Sequence, residues 1–177
     1  MRSTKQICMN AMGIALFAAL TMCLQVPVFE NYYLCLGYVV MAVYCYSLGP
    51  VSGAVVGSMG VVVYCLLTSG LRGMPGWALG NLAIGLIIGN VFRATKKTGG
   101  ALSRAAELFA VAAATAIGIL VVKSGVECLL YAQPMVFRMM KNGYAFVADV
   151  VLLAVSLPVC VRLDAYMRKF SEEKSRE

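Results

Sequence analysis

The sequence predicts an all-α integral membrane protein, a bundle of six transmembrane helices with both termini in the cytoplasm. Of its 177 residues, 61% are apolar and 13% are charged, whereas a soluble domain carries about 45–50% apolar and about 25% charged residues. Residues 6–29, 31–71 and 73–92 contain no Asp, Glu, Lys or Arg. Because a helix crosses the hydrocarbon with about 20 apolar residues, these segments hold about four crossings.

Turn residues separate the first three helices. The first is predicted over about 6–25 and ends before "VPVFENYY". The second covers about 34–48 and ends at Gly49–Pro50, and the third covers about 51–68 and ends at "SGLRG". Glycine and proline at these boundaries interrupt a helix because they favour turns and cannot continue it.

Three further helices follow in the second half. The fourth is predicted over about 75–92 and begins with Pro75, whose missing N–H costs nothing in a first helical turn. The fifth covers about 102–122, with the option of continuing through "KSGVECLLYAQ". The sixth covers about 144–161, and a charged tail over 162–177 completes the single membrane domain.

The positions of the basic residues give the orientation. Eleven of the fifteen lie in the N-terminus, in the 93–104 loop and in the tail, which all share one side if there are six crossings. Cytoplasmic loops are rich in Lys and Arg, so this side is predicted to be the cytoplasm. The same grouping indicates contact with the lipid bilayer and gives no reason to expect a nucleic-acid partner.

Polar side chains within the apolar segments converge on the outer half. Asn81 lies six residues after Pro75, which is about 9 Å along a helix, and Asp149 lies five residues after Tyr144. With Trp77 they predict one substrate pocket that opens to the outside. Each residue also has a simpler interpretation: Trp77 as an interfacial anchor, Asn81 as a hydrogen bond between helices, and Asp149 as the partner of a protein cation.

Loop residues complete the candidate site. Arg72 and Lys123 are the cations that Asp149 could meet, and Tyr144 and Tyr33 add aromatic surface on the outer side. Tyr33 is either an interfacial residue or part of a lid. Lys123 and Glu127, four positions apart, are expected to pair at a helix end.

Small residues recur every four positions. Gly49, Gly53 and Gly57 in the third helix, with Gly76, Gly80, Gly85 and Gly89 in the fourth, predict close helix packing, which in lipid depends on small side chains. Ala11, Ala15 and Ala19 line one face of the first helix, either for packing within the bundle or for docking a partner membrane protein.

The residues for catalysis are missing from the sequence. It has no histidine, no phosphate-binding G-x-x-x-x-G-K-[ST] motif, and seven cysteines scattered without a C-x-x-C. No pair of carboxylates and no nucleophile beside a base is evident. No enzyme activity, cofactor or metal site is therefore predicted.

Two stretches resemble the substrate-binding S components of energy-coupling factor (ECF) vitamin transporters. "TKQICMNAMGIALFAAL" is similar to the opening of that family, and "YLCLGYVVMAVYCYSLGPVSGAVVGSMG" to Y-L-x-L-G-D followed by x-x-G-P-x-x-G-A-x-x-G. The matching positions are Tyr33, Leu34, Leu36, Gly37, Gly49, Pro50, Gly53, Ala54 and Gly57. Tyr38 replaces the usual aspartate, and the usual lysine–glutamate pair of the fourth helix is absent, with Asn81 near one of its positions.

The resemblance implies a function in vitamin uptake at the bacterial plasma membrane. Such a chain captures a vitamin or precursor from outside, and riboflavin, pyridoxine, a pyrimidine thiamin precursor and a queuine-type deazapurine are the candidates. It then works with a transmembrane coupling subunit, which Ala11 and Ala15 would contact, and with two ATPase subunits. Gly76 and Gly80 are expected to leave room beside Trp77 and Asn81. The alternative is a structural membrane subunit of the MreD type that binds no ligand.

Overall fold

The computed structural model describes residues 2–23, 25–29, 32–98 and 101–173. Helices make up almost all of this part of the chain, which confirms the predicted all-α membrane fold class. The helices are α1 (Arg2–Cys23), α2 (Gly37–Ser47), α3 (Pro50–Thr68), α4 (Met74–Thr98), α5 (Ala101–Thr115), α6 (Ser124–Tyr131) and α7 (Met135–Glu173).

A β-hairpin lies between α1 and α2, where the sequence predicted a loop and the start of a helix. Strand β1 (Gln25–Phe29) pairs antiparallel with β2 (Tyr32–Cys35), and the register is irregular between Pro27 and Phe29. Valine, phenylalanine and tyrosine favour strands. The second helix therefore begins at Gly37 and not near residue 34, and β2 packs against α7.

The fifth predicted helix continues well beyond residue 122. A π-helical segment (Ala116–Lys123) joins α5 to α6 without a break, so the helical path ends only at Tyr131. The option of continuing through "KSGVECLLYAQ" is thus the right one as far as Tyr131. Lys123 and Glu127 lie inside the helical path and do not end it.

Helix α7 begins nine positions before Tyr144. It spans 39 residues, and the predicted tail is helical as far as Glu173. At 1.5 Å per residue such a helix is about 58 Å long, roughly twice the thickness of the hydrocarbon. Helix α7 must therefore tilt or project beyond the membrane, as must the continuous α5–α6 path beside it.

Among the described residues, five helical segments are long and apolar enough to cross a membrane: Thr4–Cys23, Pro50–Thr68, Met74–Lys96, Ser103–Tyr131 and Met135–Tyr166. Helix α2 is apolar but has only 11 residues. It rises about 16 Å, so it covers half of the hydrocarbon. The hairpin that precedes it continues the path toward one end of the bundle.

Chain connectivity gives the bundle two distinct ends. The start of α1, the turn between α2 and α3, the connection between α4 and α5, and the end of α7 lie at one end, called here the termini end. The β-hairpin and the connections before α4 and α7 lie at the other, called here the hairpin end. The turn into α3 depends on Gly49, whose φ of 99° suits glycine, followed by Pro50 in the first helical turn.

Glycines bring α3 into close contact with its neighbours. A methyl group on Gly53 would overlap Cys45 Sγ, and one on Gly85 would lie 2.6 Å from Ala54 Cα. Gly57 and Gly89 are equally crowded, against Met41 and Pro50. This confirms the interpretation of these four glycines as packing residues. Gly49 is the exception, because nothing lies within 4 Å of a methyl group placed there and its role is the turn into α3.

Gly76 and Gly80 do not leave room beside Trp77 and Asn81, so that expectation is wrong. A methyl group on Gly80 would lie 2.7 Å from the carbonyl oxygen of Gly118, and one on Gly76 would lie 3.1 Å from that of Lys123. Both glycines instead allow α4 to approach the π-helical segment. The space they leave is filled by backbone.

Candidate substrate-binding site

Tyr38 is the centre of a buried polar cluster near the hairpin end. Its side chain is fully buried in the first turn of α2. The Tyr38 hydroxyl donates to Asn81 Oδ1 at 2.7 Å and accepts from Trp77 Nε1 at 3.0 Å. The Asp149 carboxylate interacts with the same hydroxyl. The three residues that the sequence placed in one outer pocket thus meet around a fourth.

Asn81 ties three helices together. It is fully buried in α4, its oxygen accepts from Tyr38 on α2, and its Nδ2 donates to the carbonyl oxygen of Gly57 on α3 at 3.2 Å. Of the two interpretations offered by the sequence, these contacts match the hydrogen bond between helices. Asn81 therefore fixes the position of the Tyr38 hydroxyl.

Trp77 faces the interior of the bundle. Its indole N–H is bound to Tyr38, and its ring packs edge-to-face on Tyr64 with 5.7 Å between centroids. An interfacial anchor would direct its N–H to the headgroup region. The half-buried indole is instead held in place beside the polar cluster, with one end fixed by a hydrogen bond.

Asp149 is buried on the inward face of α7. Only 6% of the residue is exposed, and Lys123 is the cation that acts on its carboxylate. The π-helical segment ends at Lys123, whose side chain packs beside Gly76 and Gly80 of α4. Asp149 lies fourteen residues after the start of α7, about 21 Å along it, and not near the helix start as predicted.

Glu127 does not pair with Lys123 as predicted, because its partners are on α7. Its Oε2 accepts from Asn142 Nδ2 at 3.1 Å and lies 3.5 Å from Arg138 Nη1. The same Asn142 amide donates to Ser124 Oγ at 3.0 Å. These contacts join α6 to the first turns of α7, which the sequence had assigned to a loop.

A cavity of about 370 Å³ lies at the hairpin end beside this α6–α7 contact. It is lined by Arg72, Gly73, Glu127, Tyr131, Gln133 and Arg138. Arg72 is exposed, and its carbonyl oxygen accepts from the Tyr131 hydroxyl. Arg72 therefore lines this cavity at the hairpin end, and no described contact joins it to Asp149. Lys123 is the cation whose charge acts on Asp149.

Two predicted site residues are not brought to the cluster by the described contacts. Tyr144 is 52% exposed. It lies five residues before Asp149 on α7, so the two side chains leave the helix axis about 140° apart. Tyr33 pairs with Pro27 in the hairpin, and its side chain lies outside the described residues.

The alanine face of α1 is directed away from the bundle. Ala11, Ala15 and Ala19 are all exposed, whereas Gly13 and Phe17 face inward against α3. A methyl group on Gly13 would lie 2.8 Å from Val56 Cγ2. Of the two roles proposed from sequence, packing within this chain is therefore excluded for the three alanines in this structure.

Tyr38 is the member of the polar cluster that sequence reasoning missed. In the sequence, Tyr38 stands out only because it occupies the aspartate position of Y-L-x-L-G-D. Hydropathy does not reveal that a tyrosine is buried in a polar cluster. The motif position itself was the available signal. Across the described ranges, no group of three or more His, Cys, Asp or Glu is arranged to hold a metal.

Comparisons with known proteins identify a family and a similar fold. The family described as "ECF-type riboflavin transporter, S component" matches residues 1–163. A solved structure described as the S component for biotin from an ECF-type ABC transporter superimposes with a TM-score of 0.67 at 17% identity, and covers 92% of each chain. No curated protein matches the chain.

The family match decides between the alternatives left open by the sequence. S components are vitamin-binding subunits of multi-pass membrane transporters, and they are not enzymes. The ligand-free scaffold of the MreD type is therefore set aside. The all-α membrane bundle and the match over residues 1–163 together show that this chain belongs to the family of ECF-type riboflavin transporter S components.

Proposed function

We propose that this chain captures riboflavin from outside the bacterial plasma membrane, at the cluster formed by Tyr38, Trp77, Lys123 and Asp149. One observation carries the proposal: Tyr38 has a single hydroxyl proton, and Asn81 and Asp149 are both acceptors beside it. While the Tyr38 hydroxyl donates its proton to Asn81 Oδ1, it cannot also donate to the buried Asp149 carboxylate. A ligand N–H would fill the vacant position.

The shape of riboflavin suits this arrangement. Its flat ring system has an edge on which one N–H lies between two carbonyl groups. Asp149 would accept from that N–H, and the Lys123 ammonium would donate to a neighbouring carbonyl oxygen. Trp77 offers an aromatic face for the ring. Buried polar groups cost free energy unless they are paired, so this edge would be recognised strongly.

Asn81 acts behind the ligand in this proposal. Its amide orients Tyr38 and leaves the direct contacts to Tyr38 and Asp149. The β-hairpin, which includes Tyr33, would cover the vitamin because β2 packs against α7. The cavity lined by Arg72 at the same end supports entry from that side.

The hairpin end is proposed to face outward and the termini end the cytoplasm. Nine of the thirteen basic residues in the described ranges belong to segments at the termini end, as expected for cytoplasmic loops. The exposed face of Ala11, Ala15 and Ala19 would dock on the transmembrane coupling subunit, with two ATPase subunits supplying the energy. Small residues allow the close backbone approach that such docking in lipid requires.

Calorimetric titration of the purified chain tests the proposal. Riboflavin should bind in a 1:1 ratio, and biotin, pyridoxine, the pyrimidine thiamin precursor and queuine should not compete. Replacing Asp149 with Asn should weaken binding about 10- to 100-fold, since a charged hydrogen bond contributes about 1.5–3 kcal/mol. Asp164→Asn at the termini end is the matched control. Equal affinity of the two variants, or tighter binding of another vitamin, would contradict the proposal.

A further inference from the structure

A second cavity lies at the termini end, far from the Tyr38 cluster. It is an open cleft of about 500 Å³ between α5 and α7, within the size range of small-molecule sites. Leu108, Leu157 and Val161 give it apolar walls, and Arg104 and Arg162 lie at its rim. Neither the proposed vitamin site nor the alanine face of α1 uses these residues.

The two arginines have no partner within the described part of the chain. Both are exposed, and neither makes an ion pair or hydrogen bond to another described residue. The nearby Lys96 differs, because it lies 2.9 Å from Asp164. Two unpaired guanidinium groups on opposite walls of one cleft form a site for an anion, which arginine binds through paired hydrogen bonds.

The arginines also lie at the level of lipid headgroups. Residues 150–161 of α7 carry no charge, and Arg162 is the first charged residue after them. Arg104 lies in the first turn of α5. Charged residues that flank apolar segments lie at the membrane interface. A ligand with a phosphate at this level and an apolar chain below it would fit both parts of the cleft.

Glu107 is the acidic residue of the cleft, and its charge is turned away from the rim. It is 5% exposed, and its Oε1 accepts from Thr95 Oγ1 on α4 at 2.7 Å. With two arginines and one glutamate, the cleft keeps a net charge of +1. The exposed side of the cleft is therefore cationic.

The location of the cleft favours a lipid over a protein partner. Helix α1 packs mainly on α2 and α3, whereas α5 packs on α4 and α7. The cleft thus lies on a different side of the bundle from Ala11 and Ala15. We propose that it binds one anionic phospholipid, with the phosphate between Arg104 and Arg162 and an acyl chain along Leu108 and Leu157. Basic pockets between transmembrane helices are suited to anionic headgroups.

Native mass spectrometry of the full purified chain tests this site. The probes are phosphatidylglycerol and phosphatidylcholine with identical acyl chains, and inorganic phosphate is a competitor. Phosphatidylglycerol should be retained at one molecule per chain, and phosphatidylcholine should not. A basic residue contributes about fivefold to binding, so Arg104→Gln with Arg162→Gln should weaken retention about 25-fold. Lys5→Gln with Arg93→Gln removes the same charge outside the cleft and should have little effect.

A second variant tests the apolar part of the cleft. Ala154→Phe, on its α7 wall, should lower retention without changing the charge. Equal losses in the cleft and control variants would show diffuse attraction and overturn the proposal. Full competition by inorganic phosphate would also overturn the proposal. If the cleft variants retain the lipid normally but no longer assemble with the coupling subunit, the cleft binds a protein and the proposal is overturned. Riboflavin affinity should be unchanged in every variant, so the failure of this site is distinct from failure of the vitamin site.

Discussion

Removing the Tyr38 hydroxyl is the sharpest perturbation of the proposed vitamin site. In Tyr38→Phe the ring remains, but Asn81 Oδ1 loses its donor at 2.7 Å and Trp77 Nε1 loses its acceptor at 3.0 Å. An unsatisfied buried group costs about 1–3 kcal/mol, so the two together cost about 2–6 kcal/mol in folding free energy. We also expect riboflavin affinity to fall about tenfold or more, because Asp149 and Trp77 are no longer oriented by one hydroxyl.

Thermal unfolding in detergent and calorimetric titration measure the two effects. Tyr166→Phe, which removes the same atom from an exposed tyrosine of α7, is the control. Asn81→Leu should be strongly non-additive with Tyr38→Phe, because both substitutions break the same hydrogen bond. If Tyr38→Phe matches Tyr166→Phe in melting temperature and affinity, the hydroxyl does not organise the site.

Three other substitutions test separate parts of the account. Gly80→Ala should destabilise the fold by about 1–3 kcal/mol, because its methyl group meets a carbonyl 2.7 Å away, whereas Gly73→Ala, with nothing within 4 Å, should be near neutral in a melting experiment. Equal melting temperatures would disprove the close approach. Ala15→Trp should stop vitamin uptake by cells and leave binding to the purified chain intact; normal uptake would rule out docking through this face. Lys123→Met should weaken riboflavin binding about tenfold by calorimetry, and unchanged affinity would remove the ammonium from the site.

Much of the fold follows from the length and charge of apolar segments. A run such as 73–92 has no other stable environment than lipid or a bundle interior, so the fourth helix was predicted almost where α4 lies. The convergence of Trp77, Asn81 and Asp149 could also be predicted, because polar side chains within apolar helices avoid lipid. The depth expected for Asp149 was wrong, since α7 begins at Met135. These inferences need only hydropathy and helix geometry.

The remaining features depend on contacts between distant segments. The β-hairpin is built by pairing across "VPVFENYY", and local composition alone suggested an irregular loop. The π-helical segment arises where Gly80 lets α4 approach Gly118, a contact that sequence periodicity does not show. Tyr38 was missed for the same reason, since its importance lies in the three side chains that other helices direct toward it.

Trp77 is the only tryptophan of the chain, so its fluorescence reports on the proposed site directly. The decisive measurement is the emission of Trp77 in the purified protein during titration with riboflavin. We predict saturable quenching that ends at one vitamin per chain, with the same midpoint as calorimetry. Binding detected by calorimetry with unchanged Trp77 emission would place the vitamin elsewhere and contradict the account.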